Sequence, residues 1–122
     1  MNGKKARTAR TALRQRNEQL LATIRAARPV RVSTDGERET WQRGPLTLTA
    51  PVVPHDYPTE LRDALTSYRA ALLHGECPRC TIEQKVTEAG TLFTRHTVDC
   101  HADPDRLVAL AAEHGITFER GI

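Results

Sequence analysis

Apolar side chains recur along this chain with two different periods, and the switches between them mark its elements. Across residues 4–27, Leu13, Leu20, Ile24 and Ala27 fall at helical spacing. The positions between them are filled by Ala, Arg, Gln, Glu and Lys, all good helix formers. The pattern predicts a helix with a narrow apolar stripe, ended by Pro29. The period then drops to two. Val30 and Val32 alternate with polar residues, and Asp35-Gly36 reads as a two-residue hairpin turn with positive φ at both positions. Residues 37–42 carry the chain back through Trp41 and Gly44-Pro45 makes a second turn. Leu46 and Leu48 alternate with Thr47 and Thr49 as the buried face of the sheet. A three-stranded meander is the economical reading, and Pro51, Pro54 and Pro58 punctuate a linker over 51–58.

Helical spacing returns at residues 59–74, where Leu61, Leu65, Tyr68 and Leu72 share a face and Gly75 is the stop. Residues 81–87 and 91–96 read as a hairpin around Glu88-Ala89-Gly90. In the last helix Asp103 takes the N-cap, Pro104 the first turn and Asp105 the positive end of the dipole. Leu107, Leu110 and Ala111 form its buried face and Gly115 ends it. The predicted class is α+β: a basic N-terminal helix, a small antiparallel β-meander, a central helix and a C-terminal ββα unit. The expected divisions are a helical arm over 1–28, the meander plus helix over 29–75, and the ββα unit over 76–122.

Composition makes such a core lean. Of 122 residues, 39% are hydrophobic and 4% aromatic, and short chains bury a smaller share of their surface than long ones. A metal staple suits a chain of this kind. Three cysteines do not make a disulfide framework, since one is left over. Their spacing fits a metal. Cys77-Pro78-Arg79-Cys80 presents two thiolates from a tight turn, and His96-Thr97-Val98-Asp99-Cys100 returns a second pair after a segment long enough for a hairpin. The pattern C-x2-C-x15-H-x3-C predicts one zinc ion held by Cys77, Cys80, His96 and Cys100. His101 and His74 are alternatives for the fourth place, but Cys100 leaves no orphan thiol and keeps a standard spacing. Four protein ligands leave no open position, so the expected zinc is structural and the expected protein is not an enzyme. A redox reading of Cys77 and Cys80 calls for a preceding strand and a following helix. Here a predicted helix and Gly75 precede them, and β-prone Thr81, Ile82, Val86 and Thr87 follow.

Charge is unevenly placed. Residues 1–32 carry nine basic groups and one acid, Glu18, for a net +8, while the remainder is −5, so the chain totals +3. Lys4, Arg7, Arg14 and Arg25 lie on one side of the first helix at about 100° per residue, and Arg10 and Arg28 spread to the same side. Lys5 belongs to the same arm. Such a ridge suits phosphate contact. The leading expectation is a DNA-binding regulatory protein whose basic helix touches the backbone. The alternatives are a protein-interaction module, such as a phage or mobile-element factor gripping a host complex, and a basic helix simply docked on its own acidic body. No secretory signal or apolar run of spanning length is read, so the expected location is cytoplasmic, without membrane contact. A mitochondrial transit peptide would also be Arg-rich, but such peptides are rich in serine and none precedes Ser33.

From Cys77 through Cys100 and into the Asp103-Pro104 helix, the chain resembles small CCHC zinc-binding proteins common in actinobacteria and their phages. The resemblance covers the zinc segment alone and implies ligation by the same four residues. Arginine outnumbers lysine 15 to 3, which agrees with a GC-rich genome. In an ordinary zinc finger the helix carries the second ligand pair, whereas His96 and Cys100 precede the Asp103 cap. The last helix also carries one basic residue, Arg106, beside Asp103, Asp105 and Glu113, which argues against major-groove docking.

Overall fold

The computed structural model describes residues 3–118, with side chains from Arg7 onward. It is α+β, with three helices and two small antiparallel sheets in the order α1 (Gly3–Ala26), β1 (Val30–Asp35), β2 (Arg38–Arg43), β3 (Leu46–Pro51), α2 (Thr59–His74), β4 (Glu83–Val86), β5 (Leu92–Arg95) and α3 (Pro104–Glu113). The first sheet is the expected meander, β1-β2-β3, and β4-β5 is a separate hairpin.

The first turn differs by one residue from its expected place. Asp35 stays in the strand opposite Arg38, and the turn residues are Gly36 and Glu37. Gly36 has φ +73° and no other residue type takes positive φ among the described residues. The Glu37 N–H closes a tight turn on the Asp35 carbonyl at 2.8 Å. A side chain at positive φ is sterically costly, so the glycine alone takes the unusual conformation and the register moves with it. A bulge at Val32 interrupts the β1–β2 ladder.

One face of the meander packs on α2. Glu39 and Ala50 are buried there as a cross-strand pair, and Trp41 stands opposite Leu48. The other side of α2 meets α3: Leu61, Ala64 and Leu65 close on Leu107, Leu110 and Ala111. Because α2 lies between two layers, it buries Ala64, Ser67, Ala71 and Leu73 in addition to Leu61 and Leu65, a wider band than a single apolar stripe. Gly75 ends it in the left-handed conformation, φ +77°, with its N–H on the Ala71 carbonyl. Asp103 occupies the N-cap of α3 as expected, but its side chain makes no capping hydrogen bond. The start of α3 relies on Pro104 and on the Leu107 N–H, which bonds the Asp103 carbonyl at 2.8 Å.

Two arginines tie the meander to α2. Arg69 donates to Glu39 and, at 2.6 Å, to the Pro51 carbonyl, while Arg31 reaches the same Glu39 carboxylate at 3.2 Å. Burial alone would raise the Glu39 pKa, but the hydrogen bonds from Arg69 and Arg31 outweigh it and hold the carboxyl below its ordinary value. Arg43 is buried to 1% exposure, and its Nη1 donates to the Leu72 carbonyl at 3.1 Å. A cation at a helix C-terminus complements the negative end of the helix dipole. No helix among the described residues is long and apolar enough to cross a membrane.

Candidate metal centre

The last turn of α2 delivers the chain into the site. Gly75 turns it back, and Cys77 and Cys80 then face each other as an isolated antiparallel bridge across a two-residue turn. A side chain at Gly75 would stand 3.0 Å from Arg43 Nη2 and 3.1 Å from Gln84 Oε1, so the turn needs glycine for both its φ and its space. Gln84 lies on β4 and donates to the Ala71 carbonyl at 3.2 Å and to Thr94 at 3.0 Å, which clamps the hairpin to the end of α2. β5 then carries the chain to His96, one residue past the ladder. Cys100 follows in a tight turn, its N–H on the Thr97 carbonyl at 3.0 Å.

These segments bring Cys77, Cys80, His96 and Cys100 together, with one donor atom from each residue and all four within 4.8 Å of one another. Cys77 and Cys100 sulfurs are 3.8 Å apart, and His96 Nδ1 lies 3.4 Å from Cys80 Sγ and 3.9 Å from Cys100 Sγ. His96 and Cys100 are each 5% exposed, and the Cys77–Cys80 turn is the more open side. The four expected ligands therefore form one group that could hold a single metal ion, placed where the second pair was expected, at a strand end and its following loop.

The electrostatics of the group favour a cation at its centre. Burial pushes the Cys100 thiol up to about 11, and its neighbours Cys80 and Cys77 push it the same way against a backbone N–H from Ala102. Burial also opposes ionisation of Cys80, but hydrogen bonds from the Thr97 backbone, Cys100, the Thr97 side chain and Cys77 outweigh it and lower its pKa. Burial lowers the His96 pKa, against the pull of Asp103, which keeps the imidazole neutral and able to coordinate. The buried Cys100 thiol thus resists ionisation on its own, and a divalent cation removes that resistance.

The alternatives for the fourth ligand lie elsewhere. His101 turns its Nδ1 toward Glu60, 4.0 Å away, and the same carboxylate meets His114 at 3.8 Å. His74 is exposed at the end of α2. The Cys77-Cys80 turn follows a helix and starts no new one, so it lacks the helix N-terminus that lowers thiol pKa in redox C-x-x-C sites.

The basic residues of α1 are arranged separately. Arg7, Arg10, Arg14, Arg25 and Arg28 are all exposed, and none of the ion pairs among the described residues involves them. Lys4 and Lys5 have side chains outside the described residues. The helix is docked on the body along the flank next to these arginines: Ile24 is fully buried, and Asn17 donates to the Thr87 carbonyl at 3.0 Å. Gly44 fits closely under α1, where an added Cβ would meet that of Ala27 at 3.3 Å. Arg7, Arg10 and Arg14 border a groove of about 670 Å³ between α1 and β4, with Leu13, Leu21 and Val86 in its lining. Lys85 on β4 adds a fourth basic side chain, and Glu18 and Glu88 belong to the same lining. Lys85 was not among the expected contact residues. Its only sequence signal is a solvent-facing position in an alternating strand.

Comparison with protein-family models, curated proteins and solved structures finds no match to this chain.

Proposed function

We propose that the protein is a small nucleic-acid-binding regulatory factor in which one zinc ion is purely structural. The zinc reading is carried by the spacing of the donors. Tetrahedral zinc at its usual bond lengths holds two sulfurs about 3.8 Å apart and a sulfur and nitrogen about 3.6 Å apart. The sulfurs of Cys77 and Cys100 are 3.8 Å apart, and the sulfur–nitrogen distances are 3.4 and 3.9 Å. A set of three thiolates and one imidazole is soft enough to select zinc over calcium or magnesium. With all four positions filled by protein, the ion has no place for an activated water, so its role is to join the end of α2, the hairpin and the approach to α3.

The nucleic-acid reading is supported by the exposed arginines of α1. Docking through Asn17 and Ile24 leaves Arg7, Arg10, Arg14, Arg25 and Arg28 in solvent without acidic partners. A rigidly mounted row of cations suits a phosphate backbone, where neutralisation releases counterions. Five contacts to duplex DNA would give a slope of about −4.5 for log affinity against log salt. Absence of binding at low salt, or a flat salt dependence, would reject the reading. A second reading, a protein-interaction module, draws on the exposed edge strand β1, where Val30 and Val32 face solvent. Its complexes would depend weakly on salt.

A further inference from the structure

Phe93 is out of keeping with the other aromatic side chains. Tyr57, Tyr68 and Phe118 pack against the core and Trp41 is half-buried between the strands, whereas Phe93 is 45% exposed on the hairpin. It stands directly opposite Lys85 in the β4–β5 ladder, with the Lys85 ammonium 5.5 Å from the ring centroid. Arg95 lies two residues further along the same face, paired with Glu83 at 2.7 Å. Lys85 also borders the groove whose other wall carries Arg7, Arg10 and Arg14, four basic groups against the two acids of its lining, Glu18 and Glu88. One lysine thus joins an exposed ring to a row of arginines that rise in steps of about 5 Å along α1.

A flat apolar ring at the end of a cationic track matches a ligand that offers flat apolar faces and regularly spaced negative charges. A single-stranded nucleic acid offers both, while a duplex keeps its base faces stacked inside. We infer that this surface is a single-strand track, with a base stacked on Phe93 and the neighbouring phosphates on Lys85, Arg14, Arg10 and Arg7. The inference rests on the nucleic-acid reading above and narrows it. Phe93 supplies stacking without sequence preference, since every base has a π-face. The arginines supply charge and salt dependence.

The test is fluorescence anisotropy of the zinc-loaded full chain with an oligothymidine of about 12 nucleotides, a length within single-strand site sizes, and with a duplex of equal length. The wild type is expected to prefer the single strand. Phe93→Leu is expected to weaken single-strand binding about tenfold and to leave duplex affinity and the salt slope unchanged. A double Arg10→Ala, Arg14→Ala variant is expected to weaken both probes and to flatten the slope. Phe93 is exposed, so its substitution spares the fold, and zinc content and circular dichroism check this. Wild-type single-strand affinity in Phe93→Leu, with weakened binding in the arginine variant, would overturn the stacking role and leave the phosphate reading standing. Failure of the wild type to bind either probe would overturn both.

Discussion

The Arg43 guanidinium, 1% exposed, donates to the Leu72 carbonyl at 3.1 Å and so closes the end of the helix that leads into the candidate metal centre. Burial lowers the Arg43 pKa, with the charge of Arg25 acting in the same direction. Truncation to Ala would leave a cavity and an unpaired carbonyl at the end of α2. Arg43→Ala is expected to lower stability by about 3 kcal/mol, measured by denaturant unfolding of the zinc-loaded protein. Arg43→Lys is expected to recover little, because an ammonium lacks the planar fork that reaches past Gly75. Stability within experimental error of wild type in Arg43→Ala would show that this bond does not tie the two halves together.

Gly75 gives a second, more local expectation. Its φ of +77° and the 3.0 Å approach of Arg43 to an added Cβ act in the same direction. Gly75→Ala is expected to cost about 2 kcal/mol, and to weaken metal affinity because the turn aims Cys77 at the other ligands. Competition with a chromogenic chelator measures the second effect. Unchanged affinity would mean that the Cys77–Cys80 turn positions itself.

Glu39 sets part of the acid sensitivity. Its folded pKa lies below the ordinary 4.5, through hydrogen bonds from Arg69 and Arg31 that outweigh burial. A depressed carboxylate contributes stability that is present above its unfolded pKa and is lost as pH falls through its folded pKa. Acid also frees metal from thiolates in any variant, so the informative quantity is the difference between proteins. The stability gap between wild type and Glu39→Gln is expected to be largest near about pH 6 and to shrink toward about pH 3. A gap constant with pH would remove Glu39 from the account.

The ligand assignment separates neighbouring histidines. His96→Ala is expected to lose stoichiometric zinc, while His101→Ala, whose ring faces Glu60 at 4.0 Å, is expected to keep it. Metal analysis after gel filtration measures both. Loss of zinc in His101→Ala with retention in His96→Ala would exchange their roles.

Much of this architecture was legible in the chain. The α2 span of Thr59–His74 follows from the leucine spacing and the glycine beyond it, because burial on a helix repeats at a fixed period. The group of Cys77, Cys80, His96 and Cys100 was legible because coordination demands particular atoms at particular spacings. What escaped was non-local. An arginine such as Arg43 reads as surface until an unpaired helix end is folded over it. The contact of Asn17 with Thr87 joins residues 70 apart and leaves no local pattern. The second buried face of α2 appears only once the sheet and α3 lie on opposite sides of it. At Asp35-Gly36 the turn was recognised but placed one residue early, since the dipeptide preference does not say which strand keeps the aspartate.

The central claim is that one zinc ion joins Cys77, Cys80, His96 and Cys100 and thereby holds the C-terminal half together. It is tested most directly by the metal content of the purified chain, combined with thermal melts before and after chelation. The account predicts one zinc per chain and a large loss of melting temperature on chelation, restored by zinc. A metal-free protein whose melt is indifferent to chelator would contradict it.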